Sequence, residues 1–123
     1  MKNIAGLDIK QGLKRMAGSK KLYKKLLLRF CEKYQCFSKE IEDICKTENF
    51  EDLKMKLHTF KGVSGNLGAM ELYEVAMQME AALEEADKEK FKKLSNQLCR
   101  ILPNTIASIE EGTFEIPEVV QPK

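Results

Sequence analysis

The chain has 123 residues, 43% of them apolar and 33% charged, with 21 basic and 19 acidic side chains. That length suits one domain with its own core and excludes two. The composition excludes a disordered chain, and a net charge of +2 is too small to argue for nucleic acid. No apolar run reaches the roughly 20 residues that span a bilayer, and Met1–Gly6 lacks the apolar stretch of a secretory signal. The expectation is a cytoplasmic protein.

Helical periodicity dominates, without a convincing alternating strand. Asp8 caps a short helix carrying Ile9, Leu13 and Met16, which Gly18 ends. Ser19 caps a longer one running to about Tyr34, with Leu22, Leu26, Phe30 and Cys31 inward. Ser38 opens a third, with Ile41, Ile44 and Cys45 inside. Asn49 caps a fourth that stops near Leu67, where Gly68 supplies a left-handed residue. A fifth starts near Ala69 or Met70 and buries Leu72, Val75, Ala76, Met79 and Leu83.

Asp87 caps a sixth helix with Phe91, Leu94, Leu98, Ile101 and Leu102 inward. Pro103 lacks an amide hydrogen and would clash with the carbonyl of Cys99, which predicts a kink or break before Ile106 and Ile109. Short links force antiparallel neighbours. The fold expected is an all-α, antiparallel up-down four-helix bundle with extra N-terminal helices over residues 1–111, followed by a flexible C-terminal tail, residues 112–123.

The cysteines Cys31, Cys36, Cys45 and Cys99 show no Cys-x-x-Cys spacing and are expected to be reduced and mostly buried, with no metal site. Glu80, Glu84 and Glu85 read as surface charges. The run Lys20-Lys21-x-x-Lys24-Lys25-x-x-x-Arg29 reads as a solvated helix face, and Met70, Met77 and Met79 as packing residues.

The single histidine, His58, lies in the fourth helix. On a wheel of about 100° per residue, Leu53, Leu57, Phe60, Ser64 and Leu67 share one side. His58 points the other way, with Lys54, Lys61, Gly62 and Gly65 within about 60° of it. Glycine inside a helix costs about 1 kcal/mol relative to alanine, so Gly62 and Gly65 need a reason. Clearing space over an exposed imidazole for another protein is one; for Gly65, loosening the last turn is an equal alternative. Ser64 points inward and is expected to bond a carbonyl four residues back. Lys61, three residues on, reaches the same surface and would favour a phosphorylated state there, whereas Lys54 reads as solvated.

The stretch His58-Thr59-Phe60-Lys61-Gly62-Val63-Ser64-Gly65-Asn66-Leu67-Gly68-Ala69 resembles the signature of histidine-containing phosphotransfer (HPt) domains, with Phe60 in place of the usual leucine. Gly6-Leu7-Asp8-Ile9, Gly12-Leu13, Leu22-Tyr23 and Leu26–Phe30 resemble the first helices of that family, so the resemblance covers about residues 6–111. It implies a phosphorelay intermediate, without kinase activity of its own. His58 would accept a phosphoryl group from a receiver aspartate and pass it to another.

The partners implied are response-regulator receiver domains and a hybrid sensor histidine kinase. No cofactor is implied in this chain, since Mg²⁺ would sit in the receiver. A monomer without membrane insertion is expected. Two other readings use the same sequence: an HPt-like docking module that carries no phosphate, and a small helical nucleic-acid binder working through residues 20–29.

Overall fold

Four side chains start helices in the computed structural model, which describes residues 7–112. Asp8 Oδ1 accepts from the Gln11 amide at 3.1 Å and opens α1 (Ile9–Arg15). Ser19 Oγ accepts from Leu22 at 3.2 Å and opens α2 (Lys20–Tyr34). Asn49 Oδ1 accepts from Asp52 at 3.1 Å before α4 (Phe50–Leu67), and Asp87 Oδ1 from Lys90 at 3.0 Å before α6 (Lys88–Gly112). Each satisfies an amide that the helix leaves without a partner. α3 (Phe37–Thr47) and α5 (Met70–Glu84) start without a side-chain cap.

The longer helices α2, α4, α5 and α6 make the bundle, with α1 laid on α4 and α3 on α4 and α6. No strand is present among the described residues. Gly68 ends α4 at φ 83°, a conformation costly for any residue with a Cβ. Its carbonyl also accepts the Asp8 amide at 2.7 Å, so the start of α1 is stitched to the end of α4. A Cβ on Gly68 would run into the Asp8 carbonyl, and glycine is required there on both counts.

Leu53, Leu57, Phe60, Ser64 and Leu67 are all buried, as the α4 wheel predicts. The expectation for α2 holds for Phe30 and Cys31 and in part for Leu26, but not for Leu22. Leu22 is 42% exposed, and Tyr23 and Leu27 are buried in its stead beside Phe30, Cys31 and Tyr34. Tyr23 can go inside because its hydroxyl donates to the Leu67 carbonyl at 2.6 Å. α3 begins at Phe37 rather than after Ser38, because Phe37 belongs to an aromatic cluster, its ring stacked 4.4 Å from that of Phe60. Cys45, expected inside, is exposed.

In α5 the fully buried residue of the last turn is Ala82, with Leu83 only partly covered, and Met77 is exposed. α6 runs unbroken through Pro103. The ring faces solvent, while Leu102, Thr105, Ile106 and Ile109 on the opposite side are held by the core. Of the cysteines only Cys31 is buried; all four are free thiols. The helix includes Gly112, and the remainder of the expected tail lies outside the described residues.

Candidate functional site

His58 stands on the outer face of α4, its side chain 73% exposed. Across from it on α5 is Glu80, only 15% exposed, whose carboxylate has two partners. Oε2 lies 3.3 Å from His58 Nδ1, and Oε1 lies 2.7 Å from the Lys61 ammonium. A carboxylate only accepts hydrogen bonds, so the neutral imidazole carries its hydrogen on Nδ1. The lone pair is then on Nε2, the nitrogen turned away from Glu80.

The same helix pair is tied one turn earlier by Lys54 and Glu84 at 2.7 Å, both side chains well exposed. The hydrogen bond from Lys54 draws the Glu84 carboxyl below its ordinary range, and Glu84 in turn raises Lys54. Lys54 is thus paired rather than simply solvated. The expectation that Glu80 is an ordinary surface charge is overturned: it is the largely covered hub linking His58 and Lys61. Lys61 is 24% exposed and paired with Glu80.

The two glycines separate. A Cβ on Gly62 would meet nothing within 4 Å, so the space beside His58 is open. A Cβ on Gly65 would stand 3.0 Å from the Tyr73 ring on α5. Gly65 therefore lets α5 approach α4 closely. Ser64 Oγ is buried and finds no hydrogen-bond partner among the described residues, so the expected bond four residues back is not made.

The site is a surface and not a pocket. A cavity of about 550 Å³ bordered by Phe50, Leu53, Ala82 and Phe91 lies nearer the start of α4 and includes none of His58, Lys61 and Glu80. No group of three or more His, Cys, Asp or Glu side chains is placed to hold a metal ion among the described residues. The one buried thiol, Cys31, is pushed up to about 11 mainly by burial, and so is a poor nucleophile. The exposed His58 has Met55, 67% exposed, three residues before it on α4, and Met77, 42% exposed, stands three residues before Glu80 on α5.

Comparison with known families finds a match to the Hpt domain over residues 25–112, from the middle of α2 to the end of α6. No curated protein and no solved structure matches.

Proposed function

Because the chain belongs to the Hpt domain family, whose members carry phosphoryl groups on histidine in two-component phosphorelays, we propose that His58 is the residue that carries it here. The observation supporting this reading is the exposed imidazole whose Nδ1 faces Glu80, which turns Nε2 away from that carboxylate, with open space over Gly62 one turn on.

In the proposed reaction the Nε2 lone pair attacks the phosphorus of an aspartyl phosphate in a receiver domain. The N–P bond forms as the bond from phosphorus to the aspartate oxygen breaks, and the electron pair leaves with the carboxylate. The ring, still protonated on Nδ1, becomes cationic. Glu80 faces that hydrogen and stabilises the charge as it develops, in the manner of a carboxylate behind a catalytic histidine. Lys61 is near enough to pair with the incoming phosphoryl oxygens when its contact with Glu80 loosens. Transfer to a second receiver aspartate is the same step reversed.

The chain supplies the nucleophile, its orientation and one cation. Mg²⁺ and the aspartate belong to the receiver, and no cofactor is assigned to this chain. Met55 and Met77 supply adaptable apolar contact on either side of the histidine.

A phosphorylated receiver mixed with this protein should transfer radioactive phosphate in an acid-labile, alkali-stable form. His58→Gln should take up none while keeping the wild-type helical circular-dichroism spectrum and melting temperature, since exposed substitutions cost under about 0.5 kcal/mol. Labelling of that variant would remove His58 from the reaction.

A further inference from the structure

The charge of this chain is nearly balanced overall and strongly separated in space. Residues 7–34, which form α1 and α2, hold nine Lys or Arg and two Asp or Glu. Residues 70–87, which form α5 and its exit, hold six Asp or Glu and no Lys or Arg. α2 packs on α1, α4 and α6, whereas α5 packs on α4 and α6. The basic and acidic helices therefore occupy opposite corners of the bundle, and the His58–Glu80 pair joins α4 to the acidic α5.

The outer face of α2 is more than a row of solvated lysines. Tyr23, Leu27, Phe30 and Tyr34 fill the core, which leaves Lys21, Lys25 and Arg29 exposed in a strip with Glu32 as its one acid. Leu22 at 42% and Leu28 at 41% are exposed on the two edges of that strip, about 120° apart around the helix. Cations flanked by outward leucines are the pattern of a helix lying in the plane of a lipid interface. Stacking on nucleic-acid bases has no platform here, because Tyr23, Phe30 and Tyr34, the aromatic residues of α2, are buried.

We propose that the α2 face docks this protein on anionic lipid bilayers, peripherally and reversibly, with α5 and His58 turned away from the membrane. Orientation follows from the charge separation: the negative surface attracts α2 and repels the acidic side carrying Glu71, Glu74 and Glu85. The histidine would stay open to partners while the protein is bound. This inference goes beyond phosphotransfer and does not depend on it.

The experiment is co-sedimentation of the full chain with phosphatidylcholine vesicles, with and without phosphatidylserine, at low and high salt. Binding is expected only to the phosphatidylserine vesicles at low salt, because screening shortens the attraction to a few ångströms at high salt. Each basic side chain at such a surface contributes about fivefold in affinity, so Lys21→Glu/Lys25→Glu/Arg29→Glu should lose at least about a hundredfold. Leu22→Ser/Leu28→Ser should bind more weakly than wild type. Lys90→Glu/Lys92→Glu/Lys93→Glu, with the same charge change on α6, should lose far less than the α2 variant.

His58→Gln should bind as wild type, so the outcome is separate from that of the phosphotransfer assay. Absence of binding, equal binding to neutral vesicles, an equal loss in the α6 variant or an unaffected leucine variant would overturn the proposal. Tighter binding to duplex DNA than to the anionic vesicles at matched salt would also overturn it.

Discussion

Removing the Glu80 carboxylate frees the imidazole to turn and leaves Lys61 without its 2.7 Å partner. Glu80→Ala is therefore expected to slow transfer roughly tenfold to a hundredfold, the usual consequence of a misplaced reacting group. Glu80→Gln can still accept from Nδ1 but carries no charge. It should fall between the two if orientation and charge both matter, and stopped transfer from a labelled receiver measures the order. Equal rates for all three proteins would reduce Glu80 to a surface contact.

The glycines give a second test at this scale. Gly62→Ala gains about 1 kcal/mol of helix propensity in open space and should melt above wild type. Gly62→Glu should stay folded and transfer poorly, because its side chain occupies the approach to Nε2. Gly65→Ala must push back the Tyr73 ring and should melt below Gly62→Ala, overpacking typically costing about 1–3 kcal/mol. The reverse melting order would show that α4 and α5 are less closely joined at Gly65 than the geometry implies.

α1, α2 and the end of α4 are joined through one phenol. Tyr23 donates to the Leu67 carbonyl, and a Cβ on Gly12 would approach the Tyr23 ring and hydroxyl to 2.6 Å. Tyr23→Phe leaves that carbonyl unpaired and should cost about 1 kcal/mol. Burial, with Asp8 adding to it, pushes the phenol from its ordinary 10 up to about 12. The raised value makes the neutral form the one the fold prefers. Its stabilisation is complete below pH 10 and is lost as the pH climbs toward 12. Chemical denaturation across this alkaline range should show a steeper loss for wild type than for Tyr23→Phe. Parallel curves would mean that the phenol titrates alike in both states.

The bundle as a whole sorts the thiols. Cys36, Cys45 and Cys99 are exposed and Cys31 is buried beside the Ile106 carbonyl. Three thiols should react with an aromatic disulfide reagent in the native protein, and the fourth only on unfolding. Immediate reaction of all four would mean that α2 and α6 separate readily.

The α4 face was legible without coordinates. Its apolar stripe has the 3.6-residue period, and Asn49 and Gly68 mark its ends by local chemistry alone. The same local signals located α1, α5 and α6 and placed His58 opposite the core. What they could not decide is which side chain outcompetes its neighbour for a shared interior. Leu22 lost to Tyr23 because a carbonyl on α4 was waiting for a hydroxyl, and Ser38 lost the start of α3 to the aromatic cluster around Phe37.

Glu80 was missed for a related reason. Its partner is 22 residues away in sequence, on another helix. His58 and Glu80 stand eleven residues on either side of Ala69, Lys54 and Glu84 fifteen, and Gly65 and Tyr73 four. One antiparallel register thus explains all three pairs, and it exists only once the turn at Gly68 and the closeness of α5 are known. Periodicity is a property of single helices and determined that His58 faces away from the core. The hydrogen bond that orients it is a property of two, and only their packing decided it.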